Sequence, residues 1–132
     1  MVPSKRFIAI VSLVLLGTVL AFAQNAGKPV PKPEPAALIT FVELGSVKCV
    51  PCRMMQPVMK NIETKYGSQI KVVFYDIWKE DQQKYAKDYG VRVIPTQVFL
   101  DKSGKELFRH EGFFPESEID ALLNKYGLKA SS

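Results

Sequence analysis

Two cysteines, Cys49 and Cys52, stand between an apolar segment and a helical pattern, and this order limits the possible folds more than any other feature. Residues 38–44 form a nearly continuous run of apolar, strand-forming residues, which is typical of a strand buried on both faces. A Gly-Ser pair then opens a loop. From residue 51 to 66, apolar residues recur at helical spacing until a glycine stops the pattern. The sequence therefore predicts a buried strand that leads through the two cysteines into a long helix.

The later segments extend this pattern into an α/β fold. We expect a second buried strand over 70–77, a short polar helix over 80–89, strands over 97–100 and 106–110, and a last helix over 115–126. Two strands joined by a helix run parallel, whereas two strands joined by a tight turn form an antiparallel hairpin. The prediction is a mixed central sheet of about four strands flanked by helices.

Residues 1–23 have the three parts of a secretory signal peptide. Lys5 and Arg6 provide the positive start, residues 7–20 are apolar, and the Ala-Phe-Ala of residues 21–23 puts small side chains where a signal peptidase cleaves. We therefore expect an exported protein, which in a cell with two membranes is periplasmic. The alternative is an uncleaved membrane anchor, because the apolar segment is close to the shortest that spans a bilayer.

The segment after the signal peptide is rich in proline and separates it from the folded part. Residues 24–36 include four prolines in the eight residues 28–35, which favours an extended, semi-rigid spacer. The folded domain is then expected to occupy residues 37–132.

Charge and cysteine content exclude several classes of function. The formal net charge is +5, but the basic residues are scattered and do not alternate with aromatic residues, so nucleic-acid binding is not expected. Two cysteines and one histidine, His110, are too few for a zinc site. Arg53 follows the second cysteine, where haem attachment requires a histidine. What remains is redox chemistry, or binding of a soft metal.

The position of the cysteine pair suits thiol–disulfide exchange. The nucleophile in that reaction is a thiolate, and the unpaired N–H groups and the dipole of a helix N-terminus stabilise an anion. Cys49 at the start of the helix is the expected nucleophile, and Cys52, one turn later, can resolve the mixed disulfide. Pro51 stiffens the small ring at the first helical turn, where its missing N–H costs little. A purely structural disulfide closing so short a loop would add little stability.

Four segments together resemble the thioredoxin family. They are Phe41-Val-Glu-Leu-Gly45, the run from Cys49 to Val58, the run from Tyr89 to Thr96, and Gly112. The resemblance covers residues 38–128 and implies a thioredoxin-like fold. It also implies that the first strand and helix of a full thioredoxin are missing, with the proline-rich spacer in their place.

The resemblance assigns roles to further residues. Ile94, Pro95 and Thr96 resemble the family's loop with a cis-proline, which presents backbone groups to an extended substrate. Gly112 corresponds to a glycine that leaves room for the substrate. Glu43 stands where the family carries a buried acid, and we expect it to exchange a proton with Cys52. The alternative is that Glu43 reaches the rim of the fold and is solvated.

Two residues next to the nucleophile depart from the family pattern. Lys48 replaces the usual tryptophan before the first cysteine, and Val50 replaces the usual glycine between the cysteines. Together with Pro51, they alter the surface that a substrate meets. Lys48 also places a positive charge beside the thiolate, which favours ionisation.

The residues between the cysteines indicate the direction of electron flow. Strong oxidants of the family carry a histidine there, whereas Val50-Pro51 resembles the reducing members. We expect a monomeric protein-disulfide reductase that acts on exported proteins, takes electrons from a membrane donor, and needs no cofactor or metal beyond its redox-active disulfide. A disulfide oxidase or isomerase stays open as an alternative. So does a Cu(I) chaperone that uses both cysteines with Met54, Met55 or Met59.

Overall fold

The computed structural model describes residues 36–131. The predicted signal peptide, 1–23, lies outside these residues, as does the predicted spacer, 24–36, except for Ala36. The first strand and helix predicted to be missing would also precede the described part. Between residues 36 and 131, no helix has the length and apolar character required to cross a membrane.

The described chain contains four strands, three α-helices and one turn of 3₁₀-helix. In chain order they are β1 (Ile39–Gly45), α1 (Val50–Tyr66), the 3₁₀ turn (Gly67–Gln69), β2 (Ile70–Asp76), α2 (Lys84–Asp88), β3 (Thr96–Asp101), β4 (Glu106–Glu111) and α3 (Glu116–Lys125).

The strands form one mixed sheet in the order β2-β1-β3-β4. Strand β1 runs parallel to β2 and antiparallel to β3, and β3 pairs with β4 as a hairpin. The predicted α/β fold with a four-stranded mixed sheet is therefore confirmed. The central position of β1 explains its apolar sequence, because both of its faces and both of its edges are covered.

Alternate residues of β1 contribute to two cores on opposite faces of the sheet. Phe41 packs on the face shared with α1 and α3, where its ring stacks on Phe99 at 4.7 Å between centroids. Val42 and Leu44 point to the other face and pack near tyrosines that include Tyr85 of α2. Because side chains alternate along a strand, Glu43 and Gly45 share the α1 face with Phe41.

Two predicted elements differ from those observed. Strand β2 lies at an edge of the sheet and is only partly buried, whereas the apolar run predicted a strand buried on both faces. Helix α2 begins at Lys84, four residues later than predicted, because residues 79–83 form turns. The Gln82 side chain accepts a hydrogen bond from the backbone N–H of Asp76 at 2.8 Å, which holds this segment against the end of β2.

A group of polar side chains ties α1 to α3. Lys65 pairs with Glu116 at 2.5 Å and with Asp120 at 2.7 Å, and the Tyr66 hydroxyl donates to Asp120 at 2.9 Å. These bonds fix the two helices over the same face of the sheet, the face to which Glu43 points.

Candidate active site

Cys49 and Cys52 form a disulfide at the N-terminus of α1, with 5.2 Å between their Cα atoms. Cys49 is the N-cap residue in extended conformation, and Pro51 lies in the first helical turn. The backbone N–H of Cys49 donates to the carbonyl of Ser46 at 3.1 Å, and the N–H of Arg53 donates to the carbonyl of Cys49 at 3.0 Å. Both bonds use backbone atoms, so they fix the backbone at the start of α1 and do not involve the two sulfur atoms.

The two cysteines differ in exposure. Cys49 is half-buried, whereas Cys52 is fully buried with 0% relative exposure. An approaching molecule can therefore contact Cys49 but not Cys52.

Gly45, the last residue of β1, lies directly against Cys52. A Cβ atom added at Gly45 would be 3.1 Å from both the Cβ and the Sγ of Cys52. These contacts are tighter than ordinary van der Waals contacts, so a larger residue at position 45 would displace the cysteine. The glycine therefore allows the resolving cysteine to sit on the end of the central strand.

Glu43 lies two residues before Gly45 on the same face and is fully buried. Residues i and i+2 of a strand are roughly 7 Å apart, within the reach of a glutamate side chain. Burial raises the pKa of Glu43 to about 8, and the nearby Gln97 amide lowers it in part. Even so, neither carboxyl oxygen is in hydrogen-bond geometry with a partner among the described residues. The alternative of a solvated position at the rim is wrong, because the residue has no exposed surface.

The strands beside Glu43 place an amide and an aromatic ring next to it. Gln97 of β3 and Phe74 of β2 are its paired residues on the two neighbouring strands. Gln97 is fully buried, and neither polar atom of its side chain has a hydrogen-bond partner among the described residues. The pairing of Glu43 with Gln97 was not predicted from the sequence, because it depends on the register of β1 and β3. The presence of a glutamine inside an apolar strand was the one sequence feature that pointed to it.

The predicted substrate loop lies beside the end of β1. Thr96, buried at the start of β3, pairs with Leu44, and its hydroxyl donates to the carbonyl of Val93 at 2.7 Å. The peptide bond between Ile94 and Pro95 is cis. The pairing of Thr96 with Leu44 places this loop next to Gly45, and hence beside Cys52.

Gly112 lies against this loop. Its N–H donates to the Pro95 carbonyl at 2.8 Å, its φ is +93°, and a Cβ added to it would meet no atom within 4 Å. Glycine therefore suits the backbone conformation here, and the space above it is open.

Asp76, at the end of β2, holds two loops that border the cysteines. Its carboxylate accepts hydrogen bonds from the N–H of Val47 at 3.4 Å and of Trp78 at 3.2 Å. Burial favours a higher pKa for Asp76, but the hydrogen bonds from Ser46, Val47 and Trp78 outweigh it, and the pKa is lowered. No local pattern predicted this contact, because it joins residues 29 positions apart.

Exposed apolar side chains occur on the segments that carry the cysteines, the Pro95 loop and Gly112, and on the loop held by Asp76. They are Val47, Val50, Met54, Trp78, Val93 and Phe113, with relative exposures from 38% to 60%. We call this set the apolar rim. Lys48 and Arg53 are exposed beside the same cysteines.

The methionines of the alternative copper site are divided between core and surface. Met55 and Met59 belong to the core under α1, and the Met55 sulfur accepts a hydrogen bond from the N–H of Phe114 at 3.3 Å. Met54 is exposed. Over residues 36–131, no group of three or more His, Cys, Asp or Glu side chains is arranged to hold a metal ion.

Comparisons with known proteins agree with this geometry. A family profile described as a thioredoxin-like domain matches residues 25–127. Thioredoxin from Porphyra purpurea is 39% identical over 89 residues, which cover 67% of this chain and 80% of that protein. Thioredoxin from Bacillus subtilis is 35% identical over 78 residues, 59% of this chain and 72% of that one.

A solved structure supports the same fold. The structure of thioredoxin-2, described as a component of the protein secretion machinery of the malaria parasite, has a TM-score of 0.62 and 23% sequence identity. The match covers 67% of this chain and 82% of that one.

Proposed function

Because this chain belongs to the thioredoxin family, whose members are thiol–disulfide oxidoreductases, we propose that it reduces disulfide bonds in exported proteins. The unequal burial of its two cysteines carries the proposal. Cys49 is accessible at the helix N-terminus, whereas Cys52 is enclosed behind it. A substrate disulfide can be attacked by Cys49 alone, and Cys52 acts only on a mixed disulfide that Cys49 has already formed.

The reaction transfers two electrons to the substrate. The Cys49 thiolate attacks one substrate sulfur, the substrate S–S bond breaks, and the departing thiolate takes up a proton. The Cys52 thiolate then attacks the Cys49 sulfur, which forms the Cys49–Cys52 bond and expels the second substrate thiolate. A reduced donor of dithiol type must regenerate the cysteines, and we assign this role to a membrane partner.

The start of α1 supports the ionised form of Cys49. Cys49 is the N-cap residue of a 17-residue helix, and the dipole of that helix stabilises a negative charge at this end. Lys48 contributes a positive charge next to the nucleophile. These features favour a reactive thiolate at neutral pH.

Glu43 is the proposed proton partner of Cys52. It lies on the strand face against which Cys52 packs, and burial raises its pKa to about 8. The pKa of an ordinary thiol is about 8.5, so the two groups are well matched for proton transfer. Glu43 accepts the proton of Cys52 as the resolving thiolate forms, and releases it after the product has left.

The substrate surface is assigned to the apolar rim and the loop beside it. Ile94, Pro95 and Thr96 supply an extended backbone next to the disulfide, and Gly112 leaves space above it. Lys48 and Val50 give this surface a shape and charge that differ from the family pattern. We propose that it binds an extended, partly apolar segment around the substrate disulfide.

The direction of electron transfer and the cellular compartment are proposed from sequence features. Val50-Pro51 lacks the histidine of strongly oxidising relatives, which supports a reductase. Residues 1–23 support export, and in a cell with two membranes the monomeric enzyme acts in the periplasm. The burial of Met55 and Met59 in the core weighs against the copper alternative.

Reduction of insulin by the wild type and two cysteine variants tests the proposal. The wild type should reduce insulin with dithiothreitol as donor. In a separate incubation of the reduced variants without dithiothreitol, Cys52→Ser should accumulate a covalent adduct with insulin that dithiothreitol added afterwards releases, and Cys49→Ser should form neither adduct nor product. A Cys49→Ser variant that forms the adduct would reverse the assignment of the two cysteines. Stoichiometric Cu(I) binding by a wild type that does not reduce insulin would replace the proposed function.

A further inference from the structure

Two polar side chains are buried in the apolar core on the face of the sheet that carries the disulfide. Glu43 and Gln97 face each other across β1 and β3, both have no exposed surface, and both have side-chain atoms without a hydrogen-bond partner among the described residues. Their surroundings are apolar, with Phe41 and Phe99 two residues away on the same strands and face. A buried polar group that lacks a hydrogen bond lowers stability, so the presence of an amide at position 97 calls for a functional explanation.

Of the two residues paired with Glu43 on the neighbouring strands, Gln97 is the polar one. Strand β2 presents Phe74 and β3 presents Gln97, and on α1 the Cys52 sulfur lies against Gly45, two residues further along the same face of β1. His110 lies one strand further, paired with Gln97 on β4, and its Nε2 is 3.2 Å from the carbonyl of Phe113. Besides burial, Gln97 is the group that changes the pKa of Glu43.

We propose that Gln97 is the positioning residue that allows Glu43 to take up and release the proton of Cys52, an inference that rests on the proposed thiol–disulfide function. A carboxamide carries a donor and an acceptor on one rotatable group. Its Nε2 can donate to the carboxylate of Glu43, and its Oε1 can accept from the protonated acid. A lysine would favour only the carboxylate, and an apolar side chain would favour only the acid.

The proton is conserved in this step. Cys52 gives its proton to the Glu43 carboxylate, the Cys52 thiolate attacks the Cys49 sulfur, and the substrate thiolate leaves with the electrons of the broken bond. Gln97 turns from donating to accepting as Glu43 becomes protonated, and turns back when Glu43 loses the proton to solvent. Gln97 itself exchanges neither proton nor electrons.

Carboxyl ¹³C NMR of Glu43 in the oxidised protein tests the inference without depending on activity. Gln97→Leu removes the amide and keeps a similar volume, and Gln97→Met is the second variant if Gln97→Leu does not fold. The midpoint of Glu43 titration should rise by about one pH unit, since a hydrogen bond of ordinary strength corresponds to about that shift. Gln83→Leu, at an exposed turn position, should leave the midpoint unchanged. Equal midpoints in the wild type and the folded position-97 variant would overturn the inference.

The pH profile of insulin reduction provides the second readout. Near pH 7, Gln97→Leu should resolve the mixed disulfide roughly tenfold more slowly, and the deficit should shrink at alkaline pH, where Glu43 is ionised in both proteins. The substitution should have no such effect in a Glu43→Gln background. A deficit that persists in that background at every pH would show a purely structural role and contradict the proposal. If the wild type does not reduce insulin, the proposed function fails, while the NMR titration still decides whether Gln97 controls Glu43.

Discussion

At the scale of single residues, the proposed chemistry depends on two residues near the end of one strand. Gly45 lacks a side chain where Cys52 approaches within 3.1 Å, and Glu43 places a carboxyl on the same face. A larger residue at position 45 would crowd Cys52, and an apolar residue at 43 would remove its proposed proton partner. The strand therefore determines how Cys52 behaves, although both cysteines are outside it.

Replacement of Glu43 should change how stability depends on pH. The pKa of Glu43 is about 8 in the folded chain, raised by burial from an ordinary value of 4.5. Between these values the folded chain holds a proton that the unfolded chain has lost, so the free energy of unfolding falls as pH rises, by about 1.4 kcal/mol per unit. Glu43→Gln removes this contribution, and its stability should depend less on pH over that interval.

Urea unfolding of the oxidised proteins at several pH values measures this difference. Glu118→Gln, a matched substitution at an exposed position on α3, is the control. Stability curves of the wild type and Glu43→Gln that stay parallel from pH 5 to 8 would be incompatible with a buried, protonated Glu43.

At the scale of elements, the end of β2 controls the loops around the nucleophile. The Asp76 carboxylate accepts hydrogen bonds from the N–H groups of Val47 and Trp78. Val47 precedes Cys49 by two residues. Because its pKa is lowered, Asp76 contributes this stabilisation above its unfolded pKa and loses it only as pH falls through the lower folded value. A strand end thus connects the loop of the cysteines to the loop that carries the tryptophan.

Loss of the Asp76 carboxylate should loosen both loops. In Asp76→Ala, amide hydrogen exchange at Val47 and Trp78 should accelerate by about tenfold, the equivalent of one hydrogen bond. The N–H of Ile77 donates to the carbonyl of Gly45 at 2.9 Å and provides an internal control. Its exchange rate should increase less. Unchanged exchange at both amides would show that other contacts hold the loops.

The sequence predicted the elements better than the contacts between them. The apolar run of β1 and the helical spacing of α1 are local patterns, and both elements appear with shifts of one residue at most. The start of α2 was missed because the Gln82 side chain bonds the end of β2, which local periodicity cannot reveal. The cysteine pair was evident from its spacing, whereas the partners Gln97 and Asp76 depend on register and on contacts distant in sequence.

At the scale of the whole molecule, the proposed function combines a redox domain with the predicted export signal of residues 1–23. The fold and the disulfide belong to residues 36–131, and the predicted cleavage site follows Ala23, outside them. A reductase beyond the cytoplasmic membrane would be separated from cytoplasmic reductants, so the proposals of export and of a membrane electron donor depend on each other. The compartment therefore decides which partners the domain can meet.

Cleavage should leave Gln24 as the N-terminal residue of the exported protein. Intact mass and N-terminal sequencing of the protein from fractionated cells measure this. Ala23→Phe should block cleavage, because signal peptidase requires a small residue there, and Phe22→Leu should not. A wild-type chain that keeps Met1 and stays in the membrane fraction would favour the uncleaved anchor instead.

The reduction potential of the Cys49–Cys52 pair tests the central claim most directly. Oxidised and reduced protein would be equilibrated with thiol–disulfide buffers of known potential, and the thiols counted by alkylation and mass spectrometry. We predict a value near that of thioredoxin, about −270 mV, at which the dithiol can reduce substrate disulfides. A value near that of the strong periplasmic oxidant, about −120 mV, would contradict the account and make the protein a disulfide donor.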